Sequence, residues 1–195
     1  MSTSKRYRII YADPPWLYDD KSAPRGGAET HYRCMSTAEI CALPVKDIAA
    51  HSSVLFMWVT MPMLEEGLKV MKAWGFKYKT VGFTWVKTTR GGALYMGMGH
   101  HTRANAEICL LGTRGFGVRR IDASIRNTQL HQRTRHSEKP EQFRHDIDKL
   151  YGPLPTRIEL FARKAALGWD VWGDEVKSDV SLARRVRSGS RMNKG

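Results

Sequence analysis

Three shortages bound what this chain can be. No stretch approaches the ~18 consecutive apolar residues of a membrane span, and residues 1–6 hold no apolar signal region, so the expected compartment is cytoplasmic. Cysteine is scarce: Cys34, Cys41 and Cys109 are odd in number and form no Cys-x-x-Cys pair. That excludes a disulfide framework and leaves reduced thiols as the simplest state. Acid is short as well, 19 Asp and Glu against 32 Lys and Arg, for a formal net charge of +13. Such a balance suits a polyanionic partner, nucleic acid ahead of an anionic membrane surface. Seven histidines, among them His100, His101, His131 and His136, lack a cysteine or acid cluster at ligand spacing, so no metal is expected.

What is present reads as one domain. At 195 residues the chain buries a core without staples and has no room for a second full domain. Residues 177–195 hold six Lys or Arg and one acid among Ser and Gly, too little apolar surface to offset ordering entropy. The expected organisation is a domain over 1–176 and a flexible basic tail over 177–195.

Strand patterns fall at Tyr7 to Ala12, Val54 to Val59, Val81 to Trp85, Ala106 to Leu111 and Ile158 to Ala162, with Trp169 to Trp172 as a short edge strand. Between them, Ser36 with Glu39 makes a capping box for a helix ended by Pro44, and Pro62 opens another that Gly75 closes. Pro140 opens a third, with Phe143, Ile147 and Leu150 on one face and Gly152-Pro153 at its end. Residues 17–33, 88–105 and 115–136 read as irregular surface chain. Strands alternating with helices imply an α/β fold, a mostly parallel sheet flanked by helical layers.

The chemistry concentrates in Asp13-Pro14-Pro15-Trp16, at the carboxyl end of the first strand, where open α/β sheets place ligands. An exocyclic amine on an aromatic base is a poor nucleophile because its lone pair is delocalised into the ring. A carboxylate (Asp13) and a carbonyl (Pro14) can each accept one amine hydrogen, draw the nitrogen toward tetrahedral geometry and stabilise its growing positive charge. Pro15 helps fix the turn and, like Pro14, brings no N–H donor. Trp16, with Tyr18 and Tyr32, is a candidate for stacking on a base taken out of its helix. A rigid turn ending a strand is the competing reading of the same four residues.

Glu107, before a buried run, either orients groups near a substrate or caps its strand. Arg119, Arg120, Arg126, Arg133 and Arg135 interleave with Asn127, Gln129 and Gln132, the residue types that contact phosphates and base edges. A solvated basic loop is the alternative. The Gly-rich chain before Asn105 reads equally as lid or target reader.

Several segments in order resemble the MT-A70 family of adenine methyltransferases: Ala12 to Trp16, Tyr32 before Met35-Ser36, Leu55 to Thr60, Trp74-Gly75-Phe76, Trp85 to Thr88, Glu107 to Gly112, Glu138 to Pro140 and Arg157 to Arg163. The resemblance runs to about Glu175. It implies a Rossmann-like methyltransferase fold with permuted motif order, the catalytic turn preceding the cofactor strand. It also implies S-adenosylmethionine as donor, with Asp13 to Trp16 holding the target amine and Asp13, Lys139, Phe161, Arg163, Asp174 and Glu175 on the donor side. Read without the family, Lys139 and Arg163 are ordinary surface cations and Phe161 is core.

Two departures stand out: Ala165-Ala166 replace a His-Asn pair of the eukaryotic enzyme, and an upstream Asp of larger relatives has no counterpart. The implied reaction is methylation of adenine N6, on DNA before RNA because the compact chain is similar to small bacterial or phage members. The competitor is a catalytically silent nucleic-acid-binding scaffold. The expected state is a monomer or homodimer, away from membranes.

Overall fold

The computed structural model describes residues 5–17, 34–99, 101–133, 138–153 and 155–182. Seven strands form one sheet: β1 (Tyr7–Ala12), β2 (Ala49–Val59), β3 (Lys77–Thr88), β4 (Ala106–Arg114), β5 (Thr128–Gln132), β6 (Arg157–Leu160) and β7 (Asp170–Trp172). Their order is β5-β3-β4-β2-β1-β6-β7. Only β4 runs against the others, pairing antiparallel with β2 and β3, while every other pairing is parallel. The last strands of the chain, β6 and β7, lie beside the first, so β1 sits inside the sheet and is buried on both faces.

The helices are α1 (Thr37–Ala42), α2 (Val45–Ile48), α3 (Leu64–Ala73) and α4 (Glu141–Tyr151). Ser36 and Glu39 form the expected capping box on α1. Past Pro44, where the helix was expected to end, the chain winds one more short turn, α2. A 3-10 turn at Met61–Met63 leads into α3, and Gly75 and Phe76 close its far end on Lys72 and Met71 carbonyls.

Two cores follow from the period of two along a strand. Ile10, Ala12, Leu55, Met57 and Val59 point to the face covered by α1 and α3, with Ile40, Val70, Met71 and Trp74. Ile9, Tyr11, Val54, Phe56 and Trp58 point to the face covered by α4, with Phe143, Ile147 and Tyr151. Tyr7 joins the first group despite its odd position because the register shifts between Tyr7 and Ile9.

Two boundaries depart from expectation. The stretch 115–136, expected to be irregular, contains β5. This strand pairs with β3 through polar residues and leaves Leu130 61% exposed, so apolar alternation never marked it. The expected tail from 177 packs on the domain up to Leu182: the Asp179 carboxylate accepts the Val171 N–H at 2.9 Å, and Leu182 is buried in the α1/α3 core. Residues 183–195 lie outside the described residues.

Candidate active site

Asp13 is the first residue beyond β1 and continues the alternation of Ile9 and Tyr11, which places its carboxylate on the α4 face at the carboxyl edge of the sheet. Lys139, just before α4, donates to both of its oxygens at 2.8 Å. The same ammonium lies 3.2 Å from Glu107 Oε2, and Lys87 pairs with Glu107 Oε1. Glu107 is the second residue of β4 and Lys87 the last but one of β3, two strand ends at the same edge. The antiparallel insertion of β4 therefore brings Glu107 to a carboxylate 94 residues earlier in the chain, in a ladder of alternating charge, Lys87–Glu107–Lys139–Asp13.

The charges set one another. Burial alone would depress the Lys139 ammonium, but Asp13 and Glu107 outweigh it and hold its pKa above the ordinary lysine range. Burial raises Glu107, yet Lys139 and Lys87 bring it below the usual carboxylate value. For Asp13 burial leads and the net direction is upward, with Lys139 pulling against it. Trp58 lies under Lys139, its ring centroid 5.6 Å from Nζ, and donates its Nε1–H to the Tyr11 hydroxyl at 2.7 Å.

The Asp13 turn is fixed from both sides. Pro14 offers its carbonyl to the Trp16 N–H at 3.0 Å, which leaves one lone pair, and Pro15 accepts the Met35 N–H at 2.8 Å. Trp16 turns into the protein. It is 5% exposed, packs in the α1/α3 core and donates its Nε1–H to the Trp58 carbonyl at 3.1 Å. Its place is to anchor the turn, so the expectation of base stacking on Trp16 is corrected.

An open cleft adjoins Asp13, lined among others by Tyr11, Lys139, Arg144, Glu159, Phe161 and Arg163. Phe161 directly follows β6 with φ 62°, a left-handed backbone that a bulky side chain adopts only at a cost of about 1–3 kcal/mol. That turn ends the strand at Leu160, two residues before the expected Ala162, and packs the Phe161 ring edge-on to Trp172, 5.2 Å away. Arg163 Nε lies 3.6 Å from Glu175, beyond β7. Asp174 is beside it in the same exposed turn. Glu159 is raised by burial but held by Arg144 at 2.8 Å.

The family model of MT-A70 matches residues 7–175. The chain belongs to the MT-A70 family. It is 34% identical to the type II methyltransferase M.MunI of Mycoplasma sp., over 88% of this chain and 78% of that protein. It is 28% identical to a putative N(6)-adenosine-methyltransferase MT-A70-like protein of Medicago truncatula, over 95% of this chain and 28% of that one. It is also 28% identical to the human N(6)-adenine-specific methyltransferase METTL4, over 95% of this chain and 41% of the human protein. MT-A70 methyltransferases generally use S-adenosylmethionine, and the sheet here is the Rossmann-like methyltransferase fold with the permuted order.

For an MT-A70 domain the sequence-predicted residues divide clearly. Asp13, Pro14, Lys139, Phe161, Arg163 and Glu107 meet at the carboxyl edge, with Asp174 and Glu175 on its rim. Arg133, at the end of β5, is on this edge as well, its guanidinium 4.6 Å from the Tyr95 ring centroid. Arg126 precedes β5, exposed, and its carbonyl accepts from Gln129. Arg119 and Arg120 are on the other edge. They follow β4, whose reversed direction delivers the chain to the amino ends of its neighbours, and the Ile121 N–H bonds the Leu150 carbonyl at the far end of α4. Placing them at the substrate is corrected for that reason. Tyr18, Tyr32 and Arg135 lie outside the described residues.

Sequence reasoning missed Lys87, Trp58, Arg144 and Glu159. All but Arg144 stood inside the quoted family segments, but no spacing along the chain states that β3, β4 and the start of α4 meet. Among the described residues no group of His, Cys, Asp or Glu is arranged to hold a metal ion, no disulfide joins the cysteines, and no helix is long and apolar enough to cross a membrane.

Proposed function

We propose that this chain transfers the methyl group of S-adenosylmethionine to the exocyclic N6 amine of adenine in DNA. The observation that carries the reading is the Asp13 carboxylate, held by Lys139 at the carboxyl end of β1 and lining an open cleft, with the Pro14 carbonyl next in the chain.

The cleft fits the donor by its chemistry. It offers the Arg163 guanidinium for the donor's carboxylate, the Phe161 ring for apolar contact, and two rim acids, Asp174 and Glu175, for the ribose hydroxyls, while Lys139 stays committed to Asp13 and Glu107. The left-handed Phe161 is strain of the kind that clusters at ligand sites. S-adenosylmethionine supplies an electrophilic methyl group on a sulfonium.

The protein's own part is to prepare the amine. Lys139 occupies one lone pair on each Asp13 oxygen, so another remains on each for an amine hydrogen. The Pro14 carbonyl takes the second hydrogen. Both bonds weaken the nitrogen's conjugation with the ring and aim its lone pair outward. As the N–C bond forms and the C–S bond breaks, positive charge grows on nitrogen beside a carboxylate already fixed in place. The nitrogen then sheds one proton, for which Asp13, its pKa raised by burial, is the nearest acceptor.

Adenine is supported by those relatives whose names specify N(6)-adenosine or N(6)-adenine methylation. DNA is favoured because the MTA1 relatives named for RNA are 26% and 27% identical and matched over about half their length, against 34% and 78% for M.MunI. The net charge of +13 suits either polymer. The test is transfer of labelled methyl to unmethylated DNA and to RNA side by side, with modified positions mapped. Label on adenine N6 of DNA is the expected result; label on RNA alone overturns the choice of polymer, and no label on either overturns the reading.

A further inference from the structure

Residues 89–99, which leave β3 beside the ion ladder, form a tied-down projection. The Tyr95 N–H bonds the Lys87 carbonyl at 2.9 Å, Thr89 bonds Ala93 at 2.8 Å, and Gly97 bonds Ala104 at 2.9 Å. The chain doubles back so closely that a Cβ on Gly97 or Gly99 would meet the Ala104 or Thr102 carbonyl oxygen at 2.1 or 2.0 Å. Exposure alternates along 94–98: Tyr95 and Gly97 turn inward, whereas Leu94, Met96 and Met98 are 58, 73 and 87% exposed. The result is a row of three large apolar side chains on one side. The other side is pinned by Arg133, stacked on Tyr95 and bonded through its N–H to the Thr88 carbonyl at 3.0 Å.

An apolar row in water needs an occupant, and charge selects it. Residues 88–106 hold Arg90 and Arg103, both exposed, and no acid. Cations flanking an apolar edge match a duplex, whose phosphates face the arginines while its stacked bases admit an apolar wedge. The projection is also one residue from the ladder that ends on Asp13. An enzyme that works on a base must take it out of the stack, at a cost of a few kcal/mol that a side chain filling the gap offsets.

We propose that Leu94, Met96 and Met98 form a wedge that enters duplex DNA beside the target adenine and holds the helix open while the base occupies the Asp13 site. The inference rests on the proposed function. Its prediction separates paired from unpaired targets, because a wedge is needed only where a stack must be opened.

The experiment compares the full chain with Met96→Ser/Met98→Ser, and with Leu94→Ser as a second variant, on two substrates. One is a duplex carrying the mapped adenine, the other the same strand unpaired. Substitution at these exposed positions is expected to lower kcat/KM about tenfold or more on the duplex and less than about threefold on the single strand. With 2-aminopurine at the target position, the unaltered chain is expected to raise its fluorescence in the duplex and the variants to fail. Equal losses on both substrates, no loss on either, or an unaltered chain that methylates only single strands overturns the wedge while leaving the proposed function in place. So does a dimer that the substitutions dissociate in sedimentation, which would make the row a contact between copies. No transfer by the unaltered chain to any nucleic acid overturns both.

Discussion

The two edges of the sheet each bury a cation against carboxylates, and they do so to different ends. At the amino edge Arg157 is 8% exposed and pairs with Asp148, and its guanidinium also donates to the carbonyls of Gly152 and Pro155. Trp169 completes the cluster by donating Nε1–H to Asp148 at 3.1 Å. Donors and acceptors there are matched within the protein, and the cluster joins α4, β6 and the chain before β7. At the carboxyl edge Lys87, Glu107, Lys139 and Asp13 pair in a ladder, and its last member, Asp13, lines a cleft. A closed set of charges holds a fold, whereas a ladder that ends on a carboxylate beside a cleft is prepared for a ligand.

Substitutions at either edge break or sharpen that contrast. Asp13→Ala is expected to lower methyl transfer by roughly 10²–10³-fold or more, the scale for removing one preorganised electrostatic contact. Its circular dichroism and unfolding midpoint should change little, because Glu107 still holds Lys139. Asp148→Ala is expected to do the reverse. It leaves the buried Arg157 without a counter-charge and costs about 3 kcal/mol in denaturant unfolding, with kcat per folded molecule near that of the unaltered chain.

Lys139→Met sharpens the contrast through pH. Lys139 lowers the pKa of Asp13 and of Glu107, so its removal raises both. The ionised Asp13 is then reached only at higher pH, and the acidic limb of kcat/KM should shift to higher pH. An unchanged profile would show that the pair does not tune the reaction. The smallest effect is expected from Arg119→Gln/Arg120→Gln on the far edge. Methyl transfer at low salt should fall less than about twofold, and the salt dependence of binding should change by less than that of an Arg133→Gln variant.

Much of the frame was legible because burial writes itself into sequence. Tyr7–Ala12 forms the strand its apolar residues require, and Ser36 and Glu39 cap α1 because the box satisfies both backbone donors. Thr128–Gln132 escaped because an edge strand at the rim of the sheet needs no apolar alternation, and its Gln129 and His131 are held by polar contacts. At the site, Asp13 and Pro14 could be read from chemistry alone, and Lys139, Phe161 and Arg163 came from the family likeness. Trp16 was misread because stacking on a base and burial in a core demand the same ring, and only tertiary packing tells them apart. Lys87 stayed hidden because its meaning depends on Glu107, which reaches it by strand pairing.

The most direct test of the mechanism is a structure of the chain with S-adenosylhomocysteine and an oligonucleotide carrying the mapped adenine. The amine nitrogen is expected about 3 Å from an Asp13 oxygen and from the Pro14 carbonyl, with its lone pair toward the sulfur. A complex in which the 13–16 turn contacts neither ligand would contradict it.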